Sequence, residues 1–211
     1  MTWRRRDTLQ FVAALLVGSG AALTFQYFRP IGEKVGETPT VESILADPDA
    51  PRTGPADAAI TIIVYTDYDC PICRQSYGAM ADAIAGRKDV RILNKEWPVL
   101  GPRSLRAAKV ALAADKQGLY APVHDRLMRR SGRLDEAELR TAIEQAGGDW
   151  ARIEADLATD AKRIDAALAR VSTEAFALGL QGTPAYLIGP VLVRGGLDEA
   201  GFRRALREAA K

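Results

Sequence analysis

The sequence predicts an α/β fold in which a small sheet domain is interrupted by an all-helical insertion. Strand patterns flank a helix within residues 59–95 and return within residues 185–193, whereas the stretch of about 103–178 has helical spacing throughout. The order is therefore βαβ, a helical block and then ββα. With 211 residues, of which 47% are hydrophobic, the chain is long enough for one such domain with an elaboration.

The N-terminus has the pattern of an export segment. Arginines at positions 4–6 precede an apolar run over residues 9–28, and small residues at 18–22 offer a cleavage site. Because the run is also nearly long enough to span a bilayer, residues 1–28 are a signal peptide or a membrane anchor. A twin-arginine signal and a buried N-terminal helix are weaker alternatives. Export predicts a periplasmic or otherwise extracytoplasmic domain, soluble after cleavage or anchored to the inner membrane, where disulfides persist.

The segment after the apolar run, residues 29–58, is rich in Pro, Gly, Asp and Thr. We interpret it as a linker or lead-in with one short apolar turn near residues 41–45. The folded domain is predicted to cover residues 59–211.

A βαβ unit opens the predicted domain. The β-branched run over residues 59–66 is typical of a strand buried on both faces. Cys70 then begins a helix with Pro71 at its first helical position, where a missing N–H does no harm. A second strand is predicted over residues 89–95, which makes a parallel pair of strands with a crossover helix.

Start and stop signals divide the helical block of about 103–178. Asp135 is a predicted N-cap, with Glu138 three residues later in the capping-box position. Gly147 is placed to end that helix, and Gly179 to end the last helix of the block. The block is therefore expected to contain several short helices rather than one long one.

Strand patterns return in the last part of the chain. Residues 185–188 and 191–193 are apolar runs separated by Gly189 and Pro190, a hairpin-like break. A final helix is predicted from Leu197 onward, with its apolar residues on one face.

The cysteine count narrows the chemistry. The chain has two cysteines, Cys70 and Cys73, which are too few for a disulfide framework. A zinc site needs about four ligands, and the single histidine, His124, is distant in sequence, so neither a metal nor an organic cofactor is expected. The net charge of +2 without a long basic block gives no indication of a nucleic-acid partner. Redox chemistry is the remaining common use of a close cysteine pair.

A Cys-x-x-Cys at the junction of a strand and a helix is chemically specific. The first cysteine lies at the helix N-terminus, where free N–H groups and the helix dipole stabilise a thiolate. The second lies one turn inside the helix, within reach of a mixed disulfide on the first. Cys70 is therefore the predicted nucleophile and Cys73 the resolving thiol of a redox-active disulfide. The alternative is that the two cysteines only pack in the core.

Four segments together resemble the DsbA-like thiol–disulfide oxidoreductases of the thioredoxin-like superfamily. Residues 65–74 (YTDYDCPICR) resemble the active-site segment of that family, and residues 96–102 (EWPVLGP) the stretch after the second strand. Residues 182–186 (GTPAY) resemble the cis-proline loop, and residues 44–51 (ILADPDAP) the lead-in of an exported branch. The resemblance covers the chain from about residue 44 to the C-terminus.

The resemblance implies a thioredoxin-like fold with a helical insertion. It also implies that the peptide bond between Thr183 and Pro184 is cis and faces the cysteine pair, where the two residues would bind a substrate chain. The implied activity is disulfide exchange with protein substrates, with disulfide formation as the favoured direction and a membrane protein as the redox partner. Disulfide reduction or isomerisation is the first alternative. A metal-binding or chaperone-like module using the cysteines between two chains is a weaker one.

Two positions depart from the family pattern. Many oxidising members have His where this chain has Ile72, so one source of thiolate stabilisation is missing, and Asp67 and Asp69 would oppose a thiolate. Many members also have a Glu where this chain has Val64, which is thought to handle the proton of the second thiol. Glu96 is a possible substitute, and a solvated strand end is its alternative role.

The other polar residues of the chain are given structural roles. His124 fits helix packing better than catalysis, and Trp97 fits the core better than a substrate groove. A solvated helix face is predicted for the arginines at positions 126, 129, 130 and 133.

Overall fold

The structure, a computed structural model, describes residues 30–210. The predicted export segment, residues 1–28, lies outside the described residues. Between residues 30 and 210 no helix combines the length and apolar character that a membrane crossing requires. The elements described below belong to a compact unit that begins at Gly32.

The lead-in contributes to the folded unit. Its elements are two short strands and a helix: β1 (Glu33–Lys34), α1 (Pro39–Ala46) and β2 (Arg52–Thr53). The apolar turn predicted near residues 41–45 is part of helix α1. Thr38 caps this helix by accepting a hydrogen bond from the Val41 N–H at 3.2 Å, which stabilises its first turn. Ile44 on this helix is fully buried. The interpretation of residues 29–58 as a linker therefore understates their role.

The predicted βαβ unit is the centre of the fold. It consists of β3 (Ile60–Thr66), α2 (Pro71–Ile84) and β4 (Val90–Glu96). The two strands pair in parallel along their full lengths, from Ile60 opposite Val90 to Thr66 opposite Glu96. This register places the end of β4 beside the turn that leads into the cysteine helix.

The helical insertion contains five helices, which begin and end close to the predicted limits. They are α3 (Pro102–Asp115), α4 (Tyr120–Arg129), α5 (Glu136–Gln145), α6 (Trp150–Thr159) and α7 (Ala161–Ala177). Asp135 caps α5 as predicted and accepts a hydrogen bond from the Glu138 N–H at 3.0 Å. Gly147 and Gly179 have positive φ angles of 83° and 67° just beyond their helices, where glycine avoids strain.

The chain ends in a hairpin and a helix. These elements are β5 (Ala185–Ile188), β6 (Val191–Arg194) and α8 (Glu199–Ala209). Strand β5 pairs antiparallel with both β3 and β6. Within residues 30–210 the six strands form one sheet in the order β1-β6-β5-β3-β4-β2, so the lead-in strands lie at both edges.

Side chains pack into two apolar clusters. The first lies among the helices of the insertion and includes both cysteines and Tyr68. The second is built from α1, α7, sheet residues such as Tyr65, and Trp97, which follows β4. Trp97 is buried and contacts Phe176 edge-on, with ring centroids 5.9 Å apart, so its predicted place in the core is confirmed.

A buried ion network joins the lead-in to the sheet and to α7. The Lys95 ammonium is fully buried, 2.6 Å from Asp47 Oδ2 and 2.8 Å from Glu174 Oε2. Arg170 adds contacts of 2.9 Å to Asp47 and 2.6 Å to Asp49. Burial alone would raise the pKa of Asp47, but the hydrogen bond and the positive charge of Lys95 lower it below its usual value.

Candidate redox site

Cys70 occupies the N-cap of helix α2. Its extended backbone ends the turn after β3, and its sulfur accepts a hydrogen bond from the Cys73 N–H at 3.1 Å. Pro71 follows at the first helical position, as predicted from the sequence. Both cysteines are free thiols, and Cys70 is 5% exposed. The sulfur therefore lies at the site where a helix start stabilises negative charge.

The pKa values of the two thiols are shifted in opposite directions. A hydrogen bond from the Cys73 thiol lowers the pKa of Cys70 to about 6, although burial opposes the change, and backbone N–H groups of Cys73 and Ile72 add to it. Donating that hydrogen bond and being buried both raise the pKa of Cys73 well above its usual value. Near neutral pH, Cys70 is the thiolate and Cys73 holds its proton.

The loop before β5 approaches the Cys70 sulfur. The peptide bond between Thr183 and Pro184 is cis, in line with the family resemblance. The Thr183 carbonyl oxygen lies 3.6 Å from the Cys70 sulfur. Two segments that are 113 residues apart in sequence therefore meet at this sulfur.

Asp67 is a structural acceptor in the turn before Cys70. The residue is buried, and its Oδ1 accepts a hydrogen bond from the Asp69 N–H at 2.8 Å. Its Oδ2 accepts two more, from the N–H groups of Val99 at 2.8 Å and Leu100 at 3.0 Å. This carboxylate ties the active-site turn to the loop after β4, and the three donors offset its charge.

The negative charge of Asp69 is offset by two arginines. The Arg103 guanidinium lies 3.0 Å from Asp69 Oδ2, and the Arg130 guanidinium lies 3.5 Å from Asp69 Oδ1. The sequence suggested that the charges of Asp67 and Asp69 destabilise a Cys70 thiolate. The partners of the two carboxylates weaken this effect. The Arg130 side chain is only 3% exposed, so the solvated face predicted for the arginines of this region does not include it.

Glu96 is buried rather than solvated, which excludes the alternative of a solvated strand end. Its Oε1 accepts hydrogen bonds from the hydroxyls of Tyr68 at 2.7 Å and Tyr120 at 2.5 Å. His124 Nδ1 contacts the same two hydroxyls at 2.7 and 3.1 Å. We call these four residues the Tyr68 cluster.

Sequence reasoning missed this cluster, because its members lie on three separate elements. Glu96 ends β4, Tyr68 is in the turn before Cys70, and Tyr120 and His124 are on α4. The available signal was the spacing of four between Tyr120 and His124, which places both on one helix face. Between residues 30 and 210 no group of three or more His, Cys, Asp or Glu side chains is arranged to hold a metal ion.

Large apolar side chains are exposed on the cysteine helix and in the loop tied to Asp67. Ile72, between the cysteines, is 51% exposed, and Leu100, in the loop tied to Asp67, is 52% exposed. A groove of about 270 Å³ runs past Ile72 and is lined also by Gln75, Ser76, Ala79, Gly196, Leu197 and Asp198. The groove therefore lies against the first turns of helix α2, with both apolar and polar side chains in its walls.

Comparison with known proteins gives a consistent result. A family model described as Thioredoxin matches residues 47–208. A thioredoxin-like oxidoreductase from Silicibacter pomeroyi is 31% identical, with a TM-score of 0.75 over 80% of this chain and 96% of that one.

Two further solved structures share the fold. A periplasmic thioredoxin-like protein from Salmonella enterica serovar Typhimurium is 24% identical, with a TM-score of 0.69 over 83% of this chain and 98% of that one. The thiol–disulfide exchange protein alpha-DsbA2 from Wolbachia pipientis is 22% identical, with a TM-score of 0.74 over 79% of this chain and 90% of that one.

The curated relatives are longer proteins. The Na⁺/H⁺ antiporter NhaA of Herminiimonas arsenicoxydans is 30% identical over 169 residues, which are 79% of this chain and 27% of that protein. The chain spans about a quarter of the length of the curated relatives it matches.

Proposed function

The chain belongs to the thioredoxin family, and we propose that it is a thiol–disulfide oxidoreductase acting on protein substrates through Cys70 and Cys73. The observation that carries this proposal is the position of the Cys70 sulfur. It lies at the start of α2, 3.1 Å from the Cys73 nitrogen and 3.6 Å from the Thr183 carbonyl oxygen. A sulfur so placed has both a stabilised thiolate form and a polar backbone group beside it for a substrate.

In the oxidising direction, a substrate thiolate attacks the Cys70 sulfur of the Cys70–Cys73 disulfide. A bond forms between the substrate sulfur and Cys70, the bond between the cysteines breaks, and Cys73 leaves with the electron pair and takes up a proton. A second substrate thiolate then attacks the substrate sulfur of the mixed disulfide. Cys70 leaves as a thiolate, so the substrate has lost two electrons and the cysteine pair has gained them.

In the reducing direction the same steps run backward. The Cys70 thiolate attacks a substrate disulfide, and Cys73 loses its proton and resolves the mixed disulfide. The high pKa of Cys73 makes this deprotonation the step that needs help. We propose that Glu96 handles this proton, because its Oε2 is buried without a hydrogen-bond partner among the described residues.

Thr183 and Pro184 are the proposed substrate-binding residues. A substrate strand laid beside the Thr183 backbone would bring its own sulfur next to Cys70, with apolar residues against exposed Ile72. We further propose that the protein works outside the cytoplasm, where protein disulfides persist, and that a membrane protein resets its cysteine pair.

Disulfide formation is the favoured direction, and disulfide reduction or isomerisation is the alternative. A Cys70 pKa of about 6 lies between the values of about 7 in thioredoxin and about 3.5 in DsbA, which supports intermediate oxidising power.

The test uses purified protein in both redox states. The oxidised form should restore activity to a reduced, unfolded ribonuclease faster than glutathione disulfide alone, and the reduced form should precipitate insulin slowly. Fast insulin reduction without ribonuclease oxidation would favour the reductase. No exchange in either assay would overturn the proposed function.

A further inference from the structure

Helix α4 and the residue after it hold Tyr68, two residues before Cys70, at two points. His124 contacts the Tyr68 hydroxyl at 2.7 Å. Arg130, immediately after the helix, donates from Nη1 to the Tyr68 carbonyl oxygen at 2.6 Å. The side chain and the backbone of this residue are therefore both held from the helical insertion.

The contacts of the Tyr68 cluster show which group donates each hydrogen bond. Each tyrosine hydroxyl has one proton to donate and an oxygen that accepts. With Glu96 ionised, both hydroxyls donate to its Oε1, and a proton on His124 Nδ1 then serves the two hydroxyl oxygens. The three protons, one on each hydroxyl and one on Nδ1, thus account for all four contacts, and the Nδ1 proton is shared between the two hydroxyl oxygens. Without a group at the Nδ1 position, both tyrosine oxygens lose a buried partner.

The surroundings of His124 leave few other roles for it. Its ring is 5.3 Å from the rings of Tyr68 and Tyr77 and stacks on Tyr120 at 5.2 Å, measured between centroids. Asp125, which follows it on α4, accepts a hydrogen bond from Tyr77 and pairs with Arg129. His124 is 5% exposed, and its Nδ1 is taken up by the hydroxyls of Tyr68 and Tyr120.

We infer that His124 is a positioning residue of the redox site: through Tyr68 it fixes the turn that keeps the Cys70 sulfur against the N–H groups at the start of α2. This inference rests on the proposed function. Loosening Tyr68 lengthens the 3.1 Å contact between the Cys70 sulfur and the Cys73 nitrogen. The thiolate then loses stabilisation, the reduced form is less favoured, and the disulfide becomes less oxidising.

Four variants test the inference. Tyr68→Phe removes one oxygen, and His124→Phe keeps an aromatic ring without nitrogen. His124→Asn places a polar atom near the Nδ1 position and should restore the contact. Tyr77→Phe is the matched control, because Tyr77 packs on His124 at the same centroid distance as Tyr68 but bonds to Asp125 through its hydroxyl.

The measurements are the thiol–disulfide equilibrium with glutathione and the pH profile of Cys70 alkylation by iodoacetamide. A lost hydrogen bond is worth about 1 kcal/mol, which is about a fivefold change in equilibrium constant. His124→Phe should therefore make the disulfide about fivefold less oxidising, about 20 mV for this two-electron couple. Tyr68→Phe should shift it at least as much, because the Tyr68 hydroxyl also donates to Glu96 Oε1. The midpoint of the alkylation profile should rise in both, whereas His124→Asn and Tyr77→Phe should resemble the parent protein.

The double variant with Phe at positions 68 and 124 should shift the equilibrium no more than Tyr68→Phe alone, because that substitution already removes the hydroxyl that His124 contacts. A loss of thermal stability with unchanged equilibrium and alkylation in Tyr68→Phe would overturn the inference, as would an equal shift in Tyr77→Phe. If His124→Phe does not fold, Tyr68→Phe and His124→Asn decide the question. Both measurements are made on the cysteine pair itself, so they stay interpretable even if the protein fails the ribonuclease and insulin assays.

Discussion

Cys70 and Cys73 have the same side chain but different surroundings. Cys70 is at the helix start with a pKa lowered to about 6, whereas Cys73 is one turn inside and 1% exposed. Because the proposed function assigns attack to Cys70 and resolution to Cys73, Cys73→Ser should accumulate mixed disulfides with substrate proteins. These complexes are detected as bands on non-reducing gels that disappear with dithiothreitol.

Cys70→Ser is the control for this trapping experiment. It removes the nucleophile and should abolish thiol exchange without trapping substrates. Trapping by Cys70→Ser, with none by Cys73→Ser, would reverse the assigned roles.

Ile72 leads to a prediction for the reduction potential of the cysteine pair. With an apolar residue between the cysteines, we expect a reduction potential of roughly −150 to −230 mV, between about −270 mV for thioredoxin and about −120 mV for DsbA. Ile72→His adds a cation beside the thiolate, so the pKa of Cys70 should fall and the potential should rise. Equilibration with glutathione buffers measures the potential.

Ile72→Leu is the matched variant, since it changes the shape of this exposed side chain without adding charge. It should leave the potential within experimental error of the parent value. If Ile72→His moves neither the pKa nor the potential, groups other than the intervening residues set both.

At the scale of elements, strand β4 carries two buried charged residues in succession. Because side chains alternate along a strand, Lys95 and Glu96 point to opposite faces of the sheet. Lys95 joins the network with Asp47 and Glu174, and Glu96 joins the Tyr68 cluster. One strand end therefore ties the lead-in to the sheet and the helical insertion to the active-site turn.

Removing the Lys95 charge should lower the stability of the fold. Lys95→Met leaves buried Glu174 without its cation and Asp47 with Arg170 alone, and breaking such a buried pair costs about 3–5 kcal/mol in unfolding free energy. Lys116→Met is the control, because the 37% exposed Lys116 side chain pairs with Asp156 and Asp160 at the surface, where such pairs add little to stability. Urea unfolding measures both, and equal losses would show that the buried network contributes no more than a surface pair.

At the scale of the whole molecule, the redox state should couple to stability through pH. The Cys70 thiol has a folded-state pKa of about 6, below its ordinary value of 9.0, so the unfolded reduced chain binds more protons between these values. The stability of the reduced form should therefore rise with pH from about 6 to about 9 and be lost as pH falls through about 6. The oxidised form has no thiol and lacks this contribution.

The difference in thermal midpoint between reduced and oxidised protein measures this coupling. It should shift in favour of the reduced form as pH increases from 6 to 8.5. Reduced Cys70→Ser should lose the trend, since no thiolate forms at the helix start. A difference that is constant with pH in the parent protein would contradict the low pKa of Cys70.

Several local features could be predicted because their causes are local. The buried run over residues 59–66, the N-cap Asp135 and the helix ends at Gly147 and Gly179 are each specified by a few neighbouring residues. The thioredoxin-like fold and its helical insertion are also confirmed, since their order is written along the chain. The lead-in was underestimated, because its helix is short and its two-residue strands are formed only by pairing with β4 and β6.

The sequence by itself determined the features on which the proposed chemistry depends: two cysteines one helical turn apart, at a helix start, with a Gly-Thr-Pro loop far along the chain. Only the tertiary structure decided which polar groups surround that pair. Glu96, Tyr68 and His124 meet because β4, the active-site turn and α4 pack together, and Arg130 is buried for the same reason. Such contacts join residues 28 to 62 positions apart, and no local pattern encodes them, because burial and pairing are properties of the packed chain.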